Sequence, residues 1–238
     1  MKIKIHLENP GTLPDIIRQS RRHSIAELTL TGNLNGADIE LIRQMSGGYD
    51  TGAYAWDAAR NKPGPLSKLD LSEANIVSGE PIYKHTEYYD RIKGSLDDFF
   101  AAYDGYVEIR GSRGGYKFGS RNKTVNNVIS DEMFLNCWRL VEIILPNSIT
   151  KIEDIAFLGC SHLTSIHIGP NVKSLGSYVF RDCSRLKDIH IRSLRSPIIK
   201  DNTFSKNLIS KNDLKVYIPK GSLSSYWLAW EFDNIVEV

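Results

Sequence analysis

Three cysteines are all that the chain holds, an odd number that cannot pair among itself and so excludes a disulfide scaffold while leaving the redox compartment open. Long apolar runs are also missing. The stretch Val141 to Leu145 is already broken at Glu142, far short of the ~20 apolar residues that span a bilayer. No charge of one sign dominates: 30 Lys plus Arg against 28 Asp plus Glu leave a net charge of +2, which argues against nucleic acid or another polyanion as the main partner. G-x-G-x-x-G, G-x-x-x-x-G-K-[ST], G-x-S-x-G and H-E-x-x-H do not occur, so no enzyme motif is present and a non-enzymatic role is expected. Cysteine pairs two to four apart, or cysteine with histidine at metal spacing, do not occur either, and no metal or cofactor is expected.

What remains is ordinary globular material. Of 238 residues, 41% are hydrophobic and 24% charged, and mean hydropathy is −0.29, a composition able to bury a core and unlike a disordered chain. The first ten residues, MKIKIHLENP, alternate Ile3, Ile5 and Leu7 with Lys2, Lys4, His6 and Glu8. That is a strand pattern and not the apolar core of a signal peptide, so an exported protein would already have lost its signal.

The organising feature is a repeat. Cys137, Cys160 and Cys183 lie 23 residues apart, twice, a period within the range of solenoids and arrays. In phase, the units read DEMFLNCWRLVEIILPNSITKIE, DIAFLGCSHLTSIHIGPNVKSLG and SYVFRDCSRLKDIHIRSLRSPIIK, the last with one extra residue. Phe134, Phe157 and Phe180 share a phase, as do Leu140, Leu163 and Leu186, then Ile143, Ile166 and Ile189, then Leu145, Ile168 and Ile191. A further column holds Ile152, Leu175 and Ile198, with Ile129 one period upstream. A unit this short cannot enclose a core alone, so the columns must be buried between stacked coils. Leu-x-x-Ile-x-Ile is the strand, with Ile166 and Ile168 inward and Ser165 and His167 outward. Pro146-Asn147 and Pro170-Asn171 end it in a turn, and the Ala-Phe segment, such as Asp154 to Leu158, is predicted as a short helical turn on the opposite wall.

Leu-x-x-Ile-x-Ile-Pro, a second Ile or Leu, Ala-Phe, x-x-Cys and x-x-Leu at this spacing resemble the BspA-like leucine-rich repeats, most closely over residues 129–198. Upstream, SIAELTLTGNLNGADIELIRQM and LSKLDLSEANIVSG resemble degenerate N-terminal repeats, which makes Leu28-Thr29-Leu30 and Leu69-Asp70-Leu71 strands of the same sheet. Downstream, LKVYIPKGSLSSYWLAWEFDNIVEV resembles the family's terminal unit. The resemblance implies an α/β solenoid: a leucine-rich-repeat right-handed superhelix with one parallel sheet, short helical turns on the opposite wall and a cap at each end. It further implies one domain over residues 1–238. Residues 1–82 would be the N-terminal cap and degenerate repeats, 83–124 an insertion that fits no repeat phase, 125–213 the regular repeats and 214–238 the C-terminal cap. For function it implies an extracellular protein-binding or adhesion module of a bacterial cell-surface or secreted protein, a monomer, with a host surface or matrix protein as the partner class.

Local patterns sharpen the caps. Thr12 is predicted to cap a helix carrying Leu13, Ile16 and Ile17, with Asp15 completing a capping box, and Asn35 with Asp38 to start a second helix that buries Ile39, Ile42 and Met45. Ser222 is predicted to cap a last helix with Leu223, Tyr226, Trp227 and Trp230 on one core-sealing face, a ligand-stacking platform being the alternative. The cysteine column is expected to be buried thiols. On the outward face, Ile144, His167, His190 and Tyr217 should form one column and Glu142, Ser165, Asp188 and Lys215 the next. These eight residues are the candidate partner-binding site. A metal site of His167, His190 and Asp188 can be drawn, but an open sheet lacks the shaped second shell that such sites have. In the insertion, YVEIRGSRGGYKFGSRNK interleaves Arg110, Arg113, Lys117, Arg121 and Lys123 with Tyr116 and Phe118. Such a mixture suits nucleic acid, while near-neutral overall charge favours a Gly-rich hairpin with a solvated basic face. Carbohydrate binding or a structural surface role, through the insertion and its tyrosines Tyr83, Tyr88, Tyr89 and Tyr103, is the competing function.

Overall fold

Period-two alternation in each unit becomes a ladder in three dimensions. A computed structural model describes residues 1–48, 64–79, 123–200, 202–204, 208, 214–230 and 234–238. Among these, strands β1 (Lys2–Leu7), β2 (Glu27–Leu34), β3 (Lys68–Asp70), β6 (Glu142–Ile144), β8 (Ser165–Ile168), β10 (Asp188–Ile191), β11 (Lys215–Ile218) and β12 (Ile235–Glu237) pair in that order into one sheet, and β4 (Ala74–Ile76) pairs with the end of β2. Every pairing is parallel, as a coil that returns to the same wall in the same direction requires. Register follows the repeat phase: Ile143 lies beside Ile166 and Ile166 beside Ile189. The leucine-rich-repeat solenoid expected from the sequence is the fold.

A second wall is built from strands where only an apolar column was foreseen. β5 (Val128–Ile129), β7 (Lys151–Ile152) and β9 (Ser174–Leu175) form a three-stranded parallel sheet, and Ile198 continues it as a single bridge to Ser174. The single parallel sheet expected from the sequence is therefore joined by a smaller one. Between the sheets, each coil makes hydrogen-bonded turns whose N–H groups point to the next coil: Phe134 to Ala156 and Phe157 to Val179. These backbone groups have no helical ladder, so the coil below supplies their acceptors. The turns need left-handed residues at fixed phase. Asn136 (φ 56), Gly159 (φ 76) and Asp182 (φ 60) fall one period apart, immediately ahead of the Phe-x-x-Cys phase end, and Asn, Gly and Asp are the types that tolerate that conformation.

The core is a pile of like on like. Phe134, Phe157 and Phe180 are fully buried, with ring centroids 5.2 and 5.9 Å apart and interplanar angles of 11° and 15°. Phe204 extends the pile at 5.4 Å, and Trp230 tilts across its end at 58°. The cysteine column is also buried, and all three thiols are free. Cys160 and Cys183 donate their S–H to the carbonyls of Phe134 and Phe157 in the preceding coil, at 3.1 and 3.2 Å.

Of the predicted caps, one stands and two are corrected. Helix α3 (Gly36–Ser46), which follows the short helices α1 (Leu13–Ile16) and α2 (Gln19–Arg22), carries the full Asn35–Asp38 capping box and buries Ile39, Ile42 and Met45. Thr12 does not cap α1. Its backbone is already helical (φ −95, ψ −6), whereas a capping residue is extended, and its hydroxyl donates to the Asn9 carbonyl. The buried Asp38 carboxylate takes the α1 N–H instead, accepting from Leu13 at 2.9 Å, Gly11 at 2.6 Å and Asn35 at 2.9 Å. Ile16 is consequently exposed while Leu13 and Ile17 are buried. The same substitution occurs at the other end. Ser222 (φ −103, ψ −4) makes no side-chain cap on α4 (Leu223–Trp227), and Glu237 accepts from Leu223 N–H at 2.9 Å. Tyr226 and Trp230 seal the core, their polar ends donating to the carbonyls of Ser193 and Pro197. Leu223 and Trp227 face outward, because a helix of only five residues ends before they can share a face with Trp230.

Candidate functional site

Strand alternation places the candidate residues. On β6, β8, β10 and β11 every second residue, such as Ile143, Ile166, Ile189 and Val216, is buried, so their neighbours must point away from the core. Pairing then aligns them across coils. Asp70, Ile144, His167, His190, Tyr217 and Val236 form one outward row, and Glu27, Lys68, Glu142, Ser165, Asp188 and Lys215 form the next. All eight candidate residues therefore lie together on one face. Lys215 is exposed and the other seven are partly buried.

The first row is more closely knit than spacing alone required. The rings of His167 and His190 stack with centroids 4.3 Å apart and 4° between planes, and His190 and Tyr217 stack at 4.5 Å and 9°. These rings cover one another, so they offer their edges, not their faces, to solvent. Polar ring atoms lie along an apolar ribbon whose N-terminal end is Ile144 and whose far end is Val236. The second row alternates in sign. Lys2 meets Glu27 at 3.4 Å and Lys68 meets Glu142 at 3.0 Å. Such exposed pairs add little stability, but they fix which polar groups flank the rings. Glu142 Oε1 also lies 3.9 Å from His167 Nε2, and Ser165 Oγ lies 3.4 Å from the same nitrogen.

Burial, then the neighbouring His190, holds His167 below the usual imidazole pKa, against the opposing pull of Glu142. Desolvation, then the charge of Asp188, holds the Tyr217 phenol above its usual value. At neutral pH the row therefore carries a neutral His167 and a neutral phenol. Face-to-face imidazoles do not converge on a common ion, and among the described residues no group of three His, Cys, Asp or Glu side chains has metal-binding geometry. The cysteines offer no reactive group: burial pushes the Cys137 thiol up to about 12 and raises Cys160 as well, which suppresses the thiolate that would react. The tyrosines and basic residues of the 83–124 segment, Lys123 excepted, lie outside the described residues.

The regular coils that carry this face have a known pattern. The family model for the BspA type leucine rich repeat region matches residues 126–224 in six copies. Residues 126–224 are therefore similar to the BspA-type leucine-rich repeats. The match reaches from the first coil of the second sheet into α4, and the upstream coils join it through the pairing of β1, β2 and β3 with β6. No curated protein matches the chain. Leucine-rich repeats are generally protein-interaction repeats without catalytic function, and BspA-like repeats are typically surface-associated. Among the described residues no helix is long and apolar enough to cross a membrane.

Sequence reasoning missed two things at this face. Stacking of His167 on His190 follows from their shared phase, but the face-to-face ring geometry and its continuation into Tyr217 do not. Val236 was not placed either, because IVE near the chain end carries too short an alternation to mark β12.

Proposed function

We propose that the outward face of the BspA-type repeats is a protein-binding surface, formed by Glu142, Ile144, Ser165, His167, Asp188, His190, Lys215 and Tyr217. The observation that carries it is the stacked row of Ile144, His167, His190 and Tyr217, half-buried and bordered by charges. A rigid apolar ribbon with polar edges is the composition of a contact patch, and its side chains lose little further freedom on binding because they are already packed on one another. The partner class is a host surface or matrix protein, the role adhesion, and the location the cell surface or the extracellular space. The family's surface association and its protein-interaction character support this reading. The continuous sheet from β1 to β12 supports one repeat domain over the whole chain, with residues 83–124 inserted into it.

The test is a binding comparison on a panel of purified matrix proteins, using the wild type, the double substitution His167→Glu with Tyr217→Ala, and a deletion of 83–124. Loss of binding in a double variant that still folds and unfolds cooperatively is the expected result. Wild-type affinity in that variant, with loss in the deletion, would move recognition to the insertion.

A further inference from the structure

The ring stack on this face depends on charge in a way that the rest of the face does not. His167 and His190 lie 4.3 Å apart and nearly parallel, with Tyr217 at 4.5 Å on the far side of His190. Neutral imidazoles pack at that distance without penalty. Two imidazolium ions there repel, because like charges within ~4–6 Å disfavour each other's charged form.

We propose that the His167–His190–Tyr217 stack is an acid-operated switch in the outward face: closed while at least one imidazole is neutral, and opened when both carry a proton. Its use in regulating a partner rests on the reading of this face as a binding surface; the ring chemistry does not. The surrounding groups set where it operates. Ser165 on β8 and Glu142 on β6 reach His167 directly, at 3.4 and 3.9 Å. Asp70 on β3 lies one step beyond Ile144 in the same row, and its charge favours a proton on His167, while Arg192, just past β10, opposes it. Asp188 on β10 and Lys215 on β11 are paired neighbours flanking His190 and Tyr217. Glu142 is shared, since Lys68 holds its other oxygen at 3.0 Å, so it cannot neutralise a second imidazolium. Of the three carboxylates nearby, Glu142 is shared with Lys68, Asp188 accepts from the Tyr217 hydroxyl and Asp70 lies beyond Ile144, so the second proton enters against the repulsion of the first, and the ring that takes it gains by leaving the stack for water. Displacement of either histidine breaks the ribbon: if His190 leaves, Tyr217 loses its stacking partner, and if His167 leaves, Ile144 loses its neighbour in the row.

The experiment is a histidine ring NMR titration of the isolated protein, without partner, from pH 8 to 4.5, in the wild type and in His190→Gln. In the wild type His167 should titrate below its ordinary value of about 6.5, and in His190→Gln its midpoint should rise by about half a unit or more. As the second proton enters, either the Tyr217 ring signals, if His190 leaves, or the Ile144 methyl signals, if His167 leaves, should lose the ring-current shift of the departing imidazole, while Phe157 signals stay in place. An unchanged His167 midpoint in His190→Gln, or Ile144 and Tyr217 signals that both hold their positions down to pH 4.5, would overturn the proposal. A stack that switches in a protein whose double variant still binds wild-type partner levels would refute the binding surface and leave the switch standing.

Discussion

Phe157→Ala attacks the stacking of coils at its centre. The ring is fully buried, with Phe134 at 5.2 Å on one side and Phe180 at 5.9 Å on the other. Removing it forfeits the transfer energy of a buried aromatic side chain, about 1.5–3 kcal/mol, and two aromatic contacts of about 0.5–1.5 kcal/mol each. It also leaves a cavity between two coils whose positions are pinned by backbone bonds from Phe157 N–H to Val179 and from Phe134 N–H to Ala156, so collapse can recover little. The expected loss is about 3–5 kcal/mol, read from urea unfolding at an unchanged m-value. Phe157→Leu, which refills part of the volume, should cost less than half as much. A loss below about 1 kcal/mol for the alanine variant would mean that the phase relating the three phenylalanines is wrong.

Further outcomes follow from the same structure. Cys160 should resist thiol reagents in the native protein and react only on unfolding, since its S–H is buried and donated to the Phe134 carbonyl; fast native labelling would place the column on the surface. Asp38→Ala should cost about 2–4 kcal/mol, because three N–H groups in two segments lose one buried carboxylate; thermal unfolding within 1 °C of wild type would refute that role. His167 titrates below its ordinary value, so its stability contribution is complete above about pH 6.5 and is lost as pH falls through the folded midpoint. The difference in stability between wild type and His167→Gln should therefore shrink on acidification, and a difference independent of pH between 7 and 5 would count against it.

The main sheet and its outward rows were legible because both depend only on phase: a period of 23 residues and a period of two locate Ile166 inward and His167 outward without knowledge of anything else. What lay beyond reach depended on contacts between distant segments. Thr12 and Ser222 have the residue type of a cap, yet Asp38 and Glu237 take the N–H groups of α1 and α4, and no local pattern announces a carboxylate 25 or 14 residues away. Phe204 escaped the aromatic column because the third unit has an extra residue, which shifts it out of strict phase although the ring still stacks on Phe180. The second sheet has strands of two residues, too short to show alternation. Arg43 shows the same limit: its guanidinium donates to the carbonyls of Glu132 and Met133, 89 and 90 residues on, tying α3 to the first regular coil.

The central claim is that neighbouring coils stack residue on residue, with Ser165 beside Asp188 on the outward face. The buried native cysteines allow a direct measurement, because cysteines introduced at Ser165 and Asp188 can be spin-labelled in the folded protein without reaction at Cys137, Cys160 or Cys183. Strands neighbouring in a sheet lie about 4.8 Å apart, so the doubly labelled protein should show strong dipolar broadening that each single label lacks, while Ile166→Cys should resist labelling. Labels at 165 and 188 that do not broaden, or a cysteine at 166 that labels as fast as one at 165, would contradict the stacked register and the face built on it.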